Sequence, residues 1–541
     1  MTKTLGLDRR FHFVRSLFTP CSVLKMSKKQ KQRPPGTIQD PTSSLGSVGI
    51  FTDVLNSINS FFTSGNPEYA SNRNRIERVC RCFEIANDRL EQVMAALDKA
   101  MDEGLSRENA DKSTLKMLPS YVRAVPNGEE GGDFLALDLG GTHFRILLIK
   151  LNGREAEMTG KIYHVPENIM HGTAENLFAH IADCIAKFVS EQEIPSGKKL
   201  PLGFTFSFPC KQQGLTSGRL INWTKGFNVT GCEGEDVCAM LKEACNRQND
   251  LEIDFVALLN DTVGTLMACA FKENTCKIGV IIGNGTNACY MEQLDRAPKL
   301  QAELADDGLP DEIIINTEWG AFGDDGSLRF IYTKFDRQVD KGSLNPGKQI
   351  FEKMISGLYM GELVRLVLET LAKEGLLFGG ELDAISRKGC FKTRYVSDIE
   401  NDLVGEDEKT FQSTQQILTE LGVKNLCQAD CANVAYVCSV ISARSAHLLA
   451  AGIATLINRM QRPLVTVGMD GSVYRYHPIF PKLLDDKIAE LIDENLRYKL
   501  MLSEDGSGIG AAIVAAVATR IREQKEEEQS EGSEKKEEKS T

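Results

Sequence analysis

Two stretches of this chain share one pattern. LALDLGGTHFRILLI at 135–149 and KIGVIIGNGTNACYM at 277–291 each run an apolar strand, a glycine-rich turn with a threonine, and a second strand. Paired glycines let the backbone reverse sharply and bring N–H groups together at the turn. The separation is far longer than the roughly 20–50 residues of a solenoid repeat, so two related α/β halves facing each other across a cleft are expected. Further short apolar runs, LPLGFTFSF and FVALLN among them, alternate with helical stretches, as α/β architecture requires. Arg75–Ala100 places Ile76, Val79, Cys80, Phe83, Leu90, Val93, Met94 and Leu97 at three- and four-residue steps, predicting one amphipathic helix. Beyond Gly361 helical patterning dominates until PLVTVGMDGSVY adds one more strand and turn.

With 541 residues, 42% of them hydrophobic, the chain can bury large cores and divide into domains. Its net charge of −12 repels a phosphate backbone and argues against nucleic acid as main partner. Any phosphate must then be held locally. The 15 cysteines lack a CxxC pair or zinc spacing, so a reducing compartment, buried thiols and no structural metal are expected. Apolar stretches such as LLAAGIATLI, 448–457, fall short of the ~20 residues that span a bilayer, so no transmembrane segment is expected. Residues 1–33 carry nine Lys or Arg against one acid, with aromatic residues interleaved. Either a mitochondrial targeting segment or an unstructured basic extension fits that composition. The tail 523–541 holds eight acids and four lysines with no apolar residue and reads as disordered.

Chemistry concentrates at a few points. Asp138, Gly140, Gly141 and Thr142 form a turn suited to an anion, and Gly283–Thr286 forms a second. Neither matches the Walker A or dinucleotide patterns. Asp138 at a strand end beside such a turn suits water-mediated contact with Mg²⁺ carried on nucleotide phosphates. Asn260-Asp261-Thr262 comes directly after the apolar strand FVALL and puts a carboxylate where α/β proteins place ligands; without further context a plain helix N-cap is the more ordinary account of the pair.

These residues stand among longer ones in a familiar order: LGFTFSFPC, NWTKGFNVTG, LLNDTVGTLMACA, INTEWGAFGD, FEKMISGLYMGE, TRYVS, VGMDGSVYRYHPIF and SEDGSGIGAA. Over about residues 72–522 the chain resembles the hexokinase family, in a single-unit form. The resemblance implies a two-lobed, actin-like (ribonuclease H-like) ATPase fold of duplicated α/β domains. It divides the chain into a basic extension and linker (1–71), an N-terminal region that makes most of a small lobe (72–270), a C-terminal region that makes most of a large lobe (271–522), and the tail (523–541). A small lobe of 128–261 plus 504–522 would close on the remainder.

By the same resemblance Ser207, Thr224, Lys225, Asn260, Asp261, Asn287, Glu318 and Glu352 would bind a hexose, whose hydroxyls each need a donor or acceptor once water is excluded. Asp261 would act as general base on the 6-hydroxyl, with Lys225 and Arg145 offsetting charge on the transferring phosphoryl group. Asp138, Gly140, Gly141, Thr142 and Arg145 would form the first ATP phosphate loop, and Gly285 and Thr286 the second. Thr393, Ser397, Gly471 and Ser472 would flank the adenosine. No metal ligand is expected directly on the protein. Mg²⁺ would be held by ATP, with Asp138 reaching it through water.

Two departures stand out, His143 where the family usually has Asn and Asn284 where it usually has Thr. Both flank phosphate loops and bear on ATP use rather than on sugar binding. They motivate a second reading, a hexose-binding regulator with little kinase activity; a chaperone-type ATPase of the same fold would lack the sugar constellation. The expectation is a monomeric, cytosolic enzyme, with peripheral mitochondrial association through the N-terminal extension as the other location.

Overall fold

The structure, a computed structural model, describes residues 67–538 apart from 193, 195–197, 224–225, 249–251, 305–307 and 405–410, with side chains described between 72 and 527. The basic extension of residues 1–33 and the apolar patch at 50–62 therefore lie outside the described residues.

Two sheets carry the architecture. One runs β4 (Glu155–His164), β3 (His143–Asn152), β2 (Gly131–Leu139), β5 (Leu200–Phe206), β8 (Ile253–Leu259). The other runs β1 (Leu118–Pro119), β11 (Glu312–Asn316), β10 (Thr286–Gln293), β9 (Cys276–Ile282), β12 (Leu464–Asp470), β13 (Arg497–Leu502). A separate two-stranded ribbon pairs β6 (Cys210–Gln212) with β7 (Gly218–Leu220). From β11 onward the second sheet repeats the first. In each, the glycine-turn hairpin is antiparallel and extends to a third antiparallel strand, while two parallel strands stand on the other side. The expected duplication is thus present strand for strand, with β1 added at one edge, and the fold is the two-lobed α/β one that the repeated hairpins imply.

The helices that frame the cores and the cleft are, in chain order, α1 (Pro67–Cys80), α2 (Asn87–Leu105), α3 (Ala174–Glu191), α4 (Val237–Asn246), α5 (Asp261–Lys272), α6 (Ile350–Ile355), α7 (Gly357–Lys373), α8 (Thr393–Asn401), α9 (Gln428–Met460), α10 (Ser472–Tyr476), α11 (Phe480–Leu491) and α12 (Gly506–Glu538). Apolar residues of α3 and α4 cover one face of the first sheet, with Phe178, Ile181, Val237 and Leu241 against Leu135, Phe204 and Leu258. A much larger core gathers α2, α7, α9 and α11 around the second sheet. A third core lies between the sheets and is built largely from α5 and α12. These two helices occupy equivalent places, α5 directly after β8 and α12 directly after β13. They cross so closely that a Cβ on Gly264 would lie 2.9 Å from the Gly506 carbonyl.

Three expectations need correction. The single helix of 75–100 is broken: α1 ends at Cys80, a 3₁₀ turn spans Arg81–Phe83, and Glu84 is extended. The turn swings Phe83 inward to stack on Phe335 with centroids 5.4 Å apart. Helical structure begins at Pro67 rather than near Asn72. The tail is helical to Glu538, not disordered. Its Glu, Lys and Gln are good helix formers, and extending a helix already nucleated in the core adds one hydrogen bond per residue fixed. The expectation of no transmembrane segment is not contradicted: α9 is long and apolar enough to cross a membrane, but 94% of its most apolar window is buried inside the protein, where it forms the central helix of the large core.

Candidate functional site

Because β8 ends in a buried apolar run and Asn260 caps the helix after it, α5 starts with a carboxylate at the open end of the sheet. Asn260 Oδ1 accepts from Thr262 N at 2.9 Å and from Thr262 Oγ1 at 2.7 Å. The N-cap reading of Asn260 therefore holds, and the cap delivers Asp261 into a cleft of about 300 Å³. Asp138, Gly140 and Ser207 line the same cleft from the first sheet, and Gly471 and Ser507 line it from the second half of the chain. Asp470 and Thr265, which the sequence reading gave no role, line it as well.

On one side of Asp261 stands a polar network. Glu318 Oε1 accepts from Asn287 Nδ2 at 3.1 Å and from Asn316 Nδ2 at 2.8 Å, while Asn287 Nδ2 also donates to Asn316 Oδ1 at 2.9 Å. Glu318 holds a left-handed backbone, φ 54°, which turns its side chain back toward this group. Burial raises its pKa, the asparagine bonds oppose the rise, and the Asp261 charge adds to it. Glu352 Oε2 accepts from Thr286 N at 3.0 Å. Burial raises Glu352 too, against that N–H, with Glu318 adding to the rise. Gly285 has no room for a side chain because a Cβ would stand 2.6 Å from Glu352 Oε2. Gln349, also left-handed, opens α6 one turn before Glu352 and presses its amide oxygen toward Gly320. Asn316 and Gln349 are thus members of the constellation that the sequence reading passed over.

Thr224 and Lys225 lie outside the described residues. Beside them, Trp223 Nε1 donates to Val229 O at 3.0 Å, and its ring stacks on Phe227 at 5.3 Å and meets Phe208 edge-on at 4.9 Å.

On the other side of Asp261 lie the two glycine turns. Asp138 Oδ2 accepts from Arg145 Nη2 at 2.6 Å, from Arg145 Nε at 3.2 Å and from Ser507 Oγ at 2.8 Å. Arg145 Nη1 reaches Asp505 at 2.5 Å. Burial works against the guanidinium charge, but the two carboxylates outweigh it and hold the Arg145 pKa above its usual value. Arg145 therefore sits in a carboxylate clamp, and Asp505 and Ser507 enter the site although no sequence argument singled them out. Gly141 has open space around it, and Thr142 and His143 are exposed. His143 Nδ1 lies 3.0 Å from the Thr142 hydroxyl, and its ring packs edge-on against His164 at 4.9 Å.

In the second turn, Gly283 N donates to Gly285 O at 2.9 Å, and the Gly283 carbonyl accepts from Gly357 N at 2.7 Å. Thr286 is buried, its hydroxyl accepting from Trp319 Nε1 at 3.1 Å. Gly471 and Ser472 abut Gly283. The Thr393 hydroxyl is engaged within the protein, accepting from Gly361 N at 3.0 Å and donating to Gly357 O. Ser397 stands one turn later on α8.

Hexokinase family models match residues 75–271 and 277–517, most of the chain. The chain belongs to the hexokinase family. This hexokinase is 45% identical over 461 residues to human Hexokinase-1, covering 83% of this chain and 49% of that protein. It is 46% identical over 467 residues to rat Hexokinase-2, covering 84% of this chain and 49% of that one. The chain spans about half the length of the curated relatives it matches. A solved hexokinase from Schistosoma mansoni complexed with glucose is similar at 40% identity and TM-score 0.74, covering 83% of this chain and 99% of that one.

Proposed function

We propose that this hexokinase transfers the γ-phosphoryl group of ATP to the 6-hydroxyl of glucose and related hexoses, giving hexose 6-phosphate and ADP, the first step of glycolysis. The observation that carries this reading is the placement of Asp261 between an amide and carboxylate network, Asn287–Asn316–Glu318 with Glu352, and a pair of glycine turns. Hexose hydroxyls suit the former and a polyphosphate the latter.

In that arrangement Asp261 accepts the 6-hydroxyl proton as the oxygen attacks phosphorus, a role that contributes about 10²–10⁴-fold. Glu318 and Asn287 hold neighbouring hydroxyls, and Lys225 and Arg145 act on the charge of the transferring group. The Asp138 donor set fits a nucleotide-borne magnesium ion: Oδ2 is engaged by Arg145 and Ser507, and Oδ1 lies on the Gly140 side of the cleft. Bound with ATP, the ion would neutralise phosphate charge, and Asp138 would hold it through water.

The enzyme works as a monomer in the cytosol in this reading, consistent with buried Cys80, Cys232, Cys238 and Cys276. A coupled assay of ADP formation with glucose, mannose and fructose, at micromolar and millimolar sugar, tests it. No hexose-dependent ADP would overturn it. One observation favours the hexose-binding regulator as a second reading: His143 engages the hydroxyl of Thr142, which would otherwise face phosphate. Glucose binding without turnover in the same assay would establish that alternative.

A further inference from the structure

The pairing of β3 with β4 decides which side chains meet across it. Phe144 stands opposite Tyr163, and their rings stack at 5.4 Å against the core that α3 covers. In the adjoining pair His143 stands directly opposite His164, so by alternation both lie on the other face of the sheet. Both are exposed, with ring centroids 4.9 Å apart and planes at 74°. Arg145, two residues along β3, shares that face, and its charge is already tied to Asp138 and Asp505.

Two imidazoles on one metal ion, each nitrogen about 2.0–2.1 Å from it, hold their ring centres about 4.5–5.2 Å apart at bond angles between about 90° and 109°. The observed 4.9 Å falls inside that range. An edge-to-face aromatic pair shows the same spacing, but it stabilises by burying surface, and these two rings stand in solvent. Their nitrogens are also open. The Thr142 hydroxyl engages His143 Nδ1 at 3.0 Å and leaves Nε2 open, while His180 Nε2 reaches the backbone carbonyl of His164, at 3.3 Å, and not its ring.

We propose that His143 and His164 form a two-histidine site for a divalent transition-metal ion of the zinc, nickel or copper type, for which imidazole is a preferred ligand. Among the described residues no group of three or more His, Cys, Asp or Glu side chains is placed to hold a metal, so the chain supplies two positions and water the others. With the ion on His143 Nε2, Nδ1 keeps its proton and donates it to the Thr142 oxygen, the kind of outer bond that ligating histidines make. Occupancy thereby fixes the role of a hydroxyl in the first glycine turn. The site stands on the strand register and the ring geometry, independently of the phosphotransferase reading.

The test titrates the full chain, purified without a histidine tag, with Ni²⁺ by calorimetry, beside His143→Asn, His164→Gln, the double variant and Thr142→Val. The parent should take up one equivalent of Ni²⁺ that each single histidine variant weakens at least about tenfold, the double variant being nearly as weak as either. Zn²⁺ should displace that equivalent, and millimolar Mg²⁺, which prefers oxygen ligands, should not. Thr142→Val should weaken it about tenfold through the lost outer bond. Because both histidines are exposed, the melting temperatures without metal should agree within a few degrees, which assigns the loss to the ligands. Ni²⁺ binding that survives His164→Gln at parental affinity would overturn the proposal, and so would the absence of any equivalent sensitive to both histidines, which would leave a packing pair only. Unchanged affinity in Thr142→Val would overturn the coupling to the glycine turn.

Discussion

Replacing Gly285 by alanine isolates the link between the second glycine turn and the sugar side of the cleft. The added Cβ would stand 2.6 Å from Glu352 Oε2, whereas ordinary contact begins near 3.4 Å. The carboxylate must therefore give way by about 0.8 Å, which stretches its 3.0 Å bond from Thr286 N beyond hydrogen-bonding range. A hydrogen bond to a charged group is worth about 1.5–3 kcal/mol, so kcat/KM for glucose should fall roughly ten- to hundredfold. The displaced atom is the tip of a side chain, so the melting temperature should move by only a few degrees. Gly141→Ala is the control. Its Cβ would meet nothing within 4 Å, and KM for glucose should stay unchanged. Steady-state kinetics at saturating ATP reads both variants. A Gly285→Ala enzyme within about twofold of the parent in kcat/KM for glucose would refute the coupling of Gly285 to Glu352.

Asp261→Ala should lower turnover by at least about 10²-fold while leaving measurable glucose binding, because the role proposed for it lies in the transition state; more than a tenth of the parental rate at saturating substrates would remove it as the base. Glucose alone should reduce the radius of gyration in small-angle scattering, since in the proposed arrangement groups from both lobes hold the sugar, and an unchanged radius with binding demonstrated would rule out closure. His143→Asn combined with Asn284→Thr should improve kcat/KM for ATP about tenfold or more by freeing the Thr142 hydroxyl and restoring one at position 284, with glucose affinity unaltered; parameters within about twofold would mean the turns tolerate both residues. Stability should fall as pH rises from about 6.5 to 8, because folded Glu400 retains a proton, at about 8, that the unfolded chain has already released near 4.3, while His477, at about 3, has finished titrating in both states; Cys438, packed nearby, is raised further and stays neutral. In Glu400→Gln that decline in melting temperature should flatten, and a slope equal to the parent's would assign it to other groups.

The sequence made the duplicated hairpins readable because a buried strand, a glycine turn and a second strand leave a local pattern. The sheet order around them then repeats in both halves. Asp261 was readable for a similar reason, as a carboxylate directly after an apolar strand. Asn316 was not. Its place depends on β10 and β11 pairing with Cys289 opposite Asn316, a register that brings Asn287 within reach from a strand far back in the chain. No periodicity in either strand states that register. Gln349 was hidden by backbone as well as by distance, for it adopts a left-handed conformation that local preference disfavours and only the surrounding packing maintains; Glu318, which shares that conformation, was reached through the resemblance alone. The broken first helix has the same origin: the apolar spacing of 75–100 is helical throughout, yet burying Phe83 against Phe335 requires the chain to turn before Asn87.

Duplication also explains how one scaffold yields two different kinds of helix start. In each half the last parallel strand delivers a helix N-terminus to the cleft, α5 after β8 and α12 after β13. Both starts attract negative charge, because the first N–H groups of a helix lack partners within it. At α5 the charge is Asp261, close enough to Glu318 to add to the rise of that carboxyl's pKa. At α12 the charge is Asp505, spent on Arg145, and Ser507 holds Asp138 in place. One helix start thus brings a carboxylate beside Glu318, and the other ties Arg145 and Asp138 together across the glycine turn. The duplicated halves share backbone geometry, and they differ in the side chains that each helix start carries into the cleft.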